Sequence, residues 1–264
     1  FGSSFESLPR FPPAFSAAMS ALVEPLAPNA DNVPTSVKNA SMEVRRGFVR
    51  KVYGILCAQL LVTAAVATPF ARMSPVQLDQ IGWVRPLSTV VLLITVLTMV
   101  CCQDVMRKYP MNYICLFIFT AAQGTVVGFI CSLYTAQSVL WAVGLTGFIF
   151  LWMTGYAMTT KTDFTGAGPY LFAVLSVLCW VSLGIMVAAL CGVDVQWAQT
   201  AYAAVGVLLF TCYIVYDTQL MLGELGGHKL SFSIDDYAFA ALNLYMDIIN
   251  LFIDLLQLFG SRDN

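Results

Sequence analysis

Seven stretches of the chain are apolar for some twenty residues each: about 52–71, 86–104, 110–133, 137–158, 168–191, 199–222 and 235–259. As a helix rising roughly 1.5 Å per residue, each is long enough to cross about 30 Å of hydrocarbon. The loops between them are short, which leaves no room for a second domain outside the membrane. The pattern predicts an all-α integral membrane protein, a single seven-transmembrane-helix bundle. Residues 1–42 follow no such pattern. Six of the 11 prolines (Pro9, Pro12, Pro13, Pro25, Pro28 and Pro34) fall there among serine, alanine and asparagine. A segment with so little to bury reads as a disordered, proline-rich tail ahead of a membrane domain at 43–264. It lacks the basic start and apolar core of a secretory signal.

Composition narrows the class further. Charged residues make up 11% of the 264, under half of the roughly 25% usual in soluble domains. Mean hydropathy is +0.77. A net charge of −2 offers no basic field for a phosphate backbone, so nucleic acid is not an expected partner; the lipid bilayer is. The basic residues also set an orientation. With the tail in the cytosol, Arg10, Lys38, Arg45, Arg46, Arg50, Lys51, Arg107, Lys108, Lys161 and Lys229 fall on that side, and only Arg72, Arg85 and Arg262 on the other. That asymmetry predicts a cytosolic N-terminus. The sequon at Asn39 would then face the cytosol and stay unmodified.

Two features of the apolar runs read as packing. All eight cysteines lie inside or beside them without CxxC spacing, as small fillers rather than zinc ligands. Gly124 with Gly128, and Gly184 with Ala188, are small-xxx-small pairs that let helix backbones approach.

The candidate chemistry lies in carboxylates at membrane depth. Asp217 stands in the sixth run, about five residues before its cytosolic end, and Asp247 near the middle of the seventh. A charge there costs about 2.5–3.5 kcal/mol on insertion scales, so such residues face a bundle interior or a wet cavity. At about 100° per residue, Asp236, Asn243, Asp247, Asn250 and Asp254 fall within an arc of about 60°. A polar stripe of this kind cannot face lipid, which predicts a central seventh helix with the stripe inward. Oxygens on one face suit a hard cation such as Ca²⁺, held transiently at Asp217 and Asp247. They could equally line a proton path or bind helices together. Asp217 and Asp247 lie on consecutive antiparallel helices. If close, they share one proton between them and form a charge switch. Arg107 could latch to one of these carboxylates, or simply mark the cytosolic boundary like Lys108 and Arg50. His228, in the loop between the last two runs, reads as a solvated residue or a modulator of gating.

Enzymatic alternatives fit poorly. Tyr216-Asp217 matches the first motif of intramembrane aspartyl proteases, but Leu244-Tyr245-Met246-Asp247 replaces their GxGD, and no proline follows Pro169. A serine–histidine protease needs its histidine in a span, and His228 is in a loop. There is no HExxH, and no lysine in the seventh run for a retinal. The chain therefore reads as a non-enzyme without a cofactor.

Four segments also carry a likeness: VRRGFVRKVYGILCAQLLVT (44–63), RKYPMNY (107–113), YDTQLML (216–222) and SIDDYAFAALNLYMDIINLF (233–252). They resemble the transmembrane Bax-inhibitor-motif family, and within it the Lifeguard branch, over about residues 42–259. The resemblance implies a seven-helix bundle whose last helix is wrapped by the others. It implies a pH-sensitive Ca²⁺ leak from internal stores, in the endoplasmic reticulum or Golgi with the plasma membrane as alternative, and suppression of apoptosis. Asp217 and Asp247 correspond to the family's paired aspartates and Arg107 to its latch arginine. The chain departs in a longer loop at 223–233 and in Asp254. The rival from another class is a non-conducting adaptor acting through death-regulating membrane proteins.

Overall fold

The computed structural model describes residues 42–101, 109–223, 232 and 236–262. Within them the seven apolar runs are all helical. We label the helices α1 (Met42–Ala71), α2 (Pro75–Gln80), α3 (Val84–Cys101), α4 (Met111–Cys131), α5 (Ala136–Thr159), α6 (Gly168–Leu190), α7 (Gln196–Leu222) and α8 (Tyr237–Phe259). Six of them are long and apolar enough to cross a membrane, and α3 is a shorter apolar helix. The protein is an all-α membrane bundle. The short α2 interrupts the first connection and was not foreseen. Its start is a capping box: the Ser74 amide donates to Gln77 Oε1 at 3.0 Å, and the Gln77 amide to Ser74 Oγ.

Helix α1 begins at Met42, ten residues before the apolar run at 52. It therefore carries Arg46, Arg50 and Lys51 on its first turns, exposed, where long basic side chains can reach water. The proline-rich segment before it, with the Asn39 sequon, lies outside the described residues, as do Arg107 and His228.

Burial sorts the helices. In α8 72% of the most apolar window is buried, against 44% in α4 and only 6% in α6. Helix α8 packs against α7, α1, α5 and α4, while α3 leans on α4 and α6 on α7. The last helix is thus the axis of the bundle and α6 its outermost member. A second, small apolar cluster of Ile214, Leu251 and Leu255 joins α7, α8 and α5 on one side of that axis.

The outer surface is apolar, as a lipid-facing surface must be. Leu93, Leu97, Phe117, Phe148 and Leu151 are all exposed. Exposed Trp83 and Trp197 mark one end of the bundle and Tyr109 and Tyr170 the other, the levels where amphipathic rings favour the membrane boundary. Hydroxyls on the spans bond backward to their own helices, as Thr68, Thr98, Thr146 and Thr211 do to the carbonyl four residues earlier.

The two glycine-pair expectations part company. Gly124 and Gly128 bring α4 onto α1 so closely that a Cβ at Gly128 would stand 2.9 Å from the Ala67 carbonyl oxygen. At Gly184 a Cβ would meet nothing within 4 Å. Gly184 therefore brings no helix close, in keeping with the place of α6 at the rim. The cysteines also divide: Cys131 is buried, whereas Cys57, Cys101, Cys179, Cys191 and Cys212 are exposed on the outer surface.

Candidate functional site

The site lies where α7 meets the axial helix. Asp217 sits five residues before the end of α7, and Asp247 eleven residues into α8; they are 4% and 5% exposed. Their carboxyl groups lie within interaction range of each other. Ionised carboxylates only accept, so a hydrogen bond between them requires a proton on one of the two. Asp247 Oδ2 is buried with no hydrogen-bond partner among the described residues. Tyr213 lies within electrostatic reach of both carboxyls and Tyr216 of Asp217.

The neighbours of Asp217 explain how it is held. The Tyr216 hydroxyl lies against Gly168, where a Cβ would approach it to 2.6 Å. Gln219 spans the connection into α6: its Nε2 donates to the Thr162 carbonyl at 2.9 Å, and its Oε1 accepts from the Phe164 amide at 2.7 Å. Asp217 therefore stands between two residues that fasten its helix to the α5–α6 connection. Helix α7 ends at Gly223, whose φ of 53° lies in the left-handed region that glycine adopts without a Cβ penalty.

Helix α8 corrects the expectation of a fully inward stripe. Asp247 and Asp254 do point inward, both 5% exposed. Asn243 and Asn250 are only half-buried, and Asp236 stands at the N-terminal boundary of the helix. The less buried face carries Phe239, Asn243, Met246, Asn250, Ile253 and Gln257. The polar arc straddles one edge of the broad buried sector, so Asp247 and Asp254 fall inside it and the asparagines just outside. Asp254 lies against Gly206 of α7, where any Cβ would overlap its carboxylate, and its Oδ2 is buried with no hydrogen-bond partner among the described residues. A glycine in α7 thus makes the room for a third buried carboxyl.

Several polar residues that the sequence reading passed over bind α8 to its surroundings. The Tyr245 hydroxyl is 2.7 Å from Thr63 Oγ1 of α1, and Thr63 donates in turn to the Gln59 carbonyl, so Tyr245 is the donor between them. Gln59 Nε2 donates to Thr120 Oγ1 of α4 at 3.1 Å. Near the start of α8, Asn112 Nδ2 donates to the Tyr237 hydroxyl at 2.8 Å, and Lys51 Nζ sits 3.2 Å over the Tyr237 ring. The available signal was an amide or hydroxyl within an apolar run, which must find a partner in lipid.

With this geometry in place, the comparisons with known proteins can be read. Residues 45–264 match the family described as inhibitor of apoptosis-promoting Bax1. The chain belongs to this Bax-inhibitor family. It is 38% identical over 223 residues to Protein lifeguard 3 of Mus musculus, covering 84% of this chain and 71% of that protein. The human Protein lifeguard 3 is 37% identical over 227 residues, with 84% and 70% covered. The Golgi anti-apoptotic protein of Vaccinia virus (strain Lister) is 34% identical over 230 residues, covering 86% of this chain and 90% of the viral one. Both members of the carboxyl pair and the whole axial helix fall within the matched family region.

Proposed function

We propose that this chain is a calcium leak channel of internal membranes, Golgi or endoplasmic reticulum, that lowers stored calcium and thereby suppresses apoptosis. The observation that carries the reading is the close pair Asp217–Asp247, buried where α7 packs on the helix that the others wrap. Ionising both would leave two negative charges close together in a low dielectric, where their repulsion is far larger than in water. Either the two helices part, or a cation enters between them. Both responses link protonation to an ion path along α8, and Asp254, Asn243 and Asn250 extend polar groups along that path. Asp236 stands at its entrance, Arg107 serves as a latch on one state, and His228 modulates it.

Calcium is cargo in this reading, not a resident cofactor. Ca²⁺ takes about six to eight oxygen ligands, and among the described residues no group of three or more acidic, histidine or cysteine side chains could hold a metal. The tail faces the cytosol, and no catalytic step is assigned to any residue. Support for the cellular role comes from the names of the relatives, one an anti-apoptotic protein of the Golgi.

The test is made in cells carrying a luminal calcium sensor and given a death stimulus. Wild type is expected to lower luminal calcium and protect, while Asp217→Asn and Asp247→Asn lose both effects together. Protection that survives with luminal calcium unchanged would overturn the leak and favour an adaptor working through protein partners.

A further inference from the structure

At the end of the bundle where α1, α4 and α8 meet, two cavities open on the outer surface between α1 and α4. The first, about 650 Å³, is lined by Lys51, Tyr109, Tyr113 and Tyr237 among others. The second, about 290 Å³, is almost wholly apolar and reaches Ile55 and Val62. They share Tyr113 and Phe117, so they adjoin as two parts of one groove. On α1 its wall is built from positions 51, 55, 59 and 62, and on α4 from 113, 117 and 120, a single face of each helix. The eleven steps from Lys51 to Val62 span about 16 Å at 1.5 Å each. That is about half the ~30 Å hydrocarbon thickness, the depth of one leaflet.

The mouth of the groove differs from its floor. Lys51 is fixed there by the Tyr237 ring, which is itself held by Asn112. Tyr113 packs 6.3 Å from Tyr237, and Tyr109 6.0 Å from Tyr113, so three tyrosines collar one ammonium group. Arg46 and Arg50 are exposed on the same turns of α1. A cation above, amphipathic rings at the boundary level and an apolar trough one leaflet deep below match the parts of one molecule class. We propose that this groove binds an anionic glycerophospholipid, its phosphate on Lys51 and an acyl chain along α1 and α4. A free phosphate has no use for the trough. The choice of an anionic headgroup also draws on the orientation proposed above, which puts Lys51 at the cytosolic leaflet, where negative lipids concentrate. The binding itself needs no calcium flux, so it stands or falls separately from the leak.

The test is native mass spectrometry of the full chain with added phosphatidylserine or phosphatidylcholine, with circular dichroism confirming helicity. Wild type is expected to retain one phosphatidylserine at least about fivefold better than phosphatidylcholine, from the worth of one basic residue at a membrane surface. Lys51→Gln should abolish that preference, Lys51→Arg should keep it, and Lys161→Gln, in the α5–α6 connection, should not change it. Glycerophosphoserine and inorganic phosphate should not compete. Equal retention of both lipids, an unaffected Lys51→Gln, or displacement by inorganic phosphate would each overturn the proposal. So would a lipid-independent dimer that Lys51→Gln dissociates, which would assign the groove to a second copy.

Discussion

The crossing of α1 and α4 gives a graded prediction. An alanine at Gly128 would place its Cβ 2.8 Å from Phe70 Cβ, 2.9 Å from the Ala67 carbonyl oxygen and 3.0 Å from Ala67 Cα. Ordinary carbon contacts begin near about 3.5 Å, so the two helices must part by roughly half an ångström or more. Two of the three obstacles are backbone atoms and cannot rotate aside. Overpacking of this kind costs about 1–3 kcal/mol, partly offset by alanine's better helix propensity of up to about 1 kcal/mol. At Gly124 the nearest atoms would be Val66 Cβ at 3.0 Å and Thr63 Cα at 3.2 Å, a milder conflict. At Gly144 nothing lies within 4 Å. Stability in mixed micelles, followed by circular dichroism as the mole fraction of dodecyl sulfate rises, should therefore fall in a definite order. Gly128→Ala should lose most, about 1–2 kcal/mol net, Gly124→Ala less, and Gly144→Ala nothing or gain slightly. Gly128→Ala as stable as Gly144→Ala would refute the reasoning, because the close approach would then not be holding α1 in place.

Three further outcomes follow from the site. Gly206→Ala should destabilise the bundle by about 1–3 kcal/mol through the Asp254 carboxylate, and adding Asp254→Ala should recover most of the loss; additive losses in a double-mutant cycle would contradict the contact. Gln219→Leu removes both bonds to the α5–α6 connection, so the Phe164 amide should exchange its hydrogen at least about tenfold faster, about 1.4 kcal/mol of lost protection; unchanged exchange would count against that fastening. Single cysteines replacing Lys161 and Arg72 in an otherwise cysteine-free chain should react from opposite sides of sealed vesicles, Lys161 from the cytosolic side; the reverse pattern would invert the proposed orientation.

What the sequence reveals of this molecule depends on the period of the signal. Seven apolar runs of membrane length mark helices whatever their neighbours, and the structure describes a helix in each. The centrality of α8 was also legible, because carboxylates on one helix face cannot be left in lipid. Contacts between helices were less so. The spacing of Gly124 and Gly128 is the same as that of Gly184 and Ala188, yet Gly124 and Gly128 meet a neighbouring helix closely and Gly184 faces open space; which face of a uniformly apolar helix turns inward is not written in its hydropathy. The pairing of Asp217 with Asp247 was reachable from their places on consecutive antiparallel helices. The opposition of Gly206 to Asp254 was not, since a glycine's use is set by what approaches it. Tyr245, Thr63 and Gln59 form a chain across α8 and α1 that no local motif announces, because each looks like one tolerated polar group in an apolar run.

The central claim is that the buried carboxyl pair controls a calcium path, and reconstitution tests it most directly. Purified full-length protein in proteoliposomes would be loaded with a calcium indicator and followed across about pH 6 to 8, beside empty liposomes, Asp217→Asn and Asp247→Asn. The account predicts calcium entry above the empty control in wild type, with a pH dependence that either substitution flattens while the variants keep their helicity. Wild-type entry no faster than in empty liposomes at every pH, or a pH dependence that both substitutions leave intact, would contradict it.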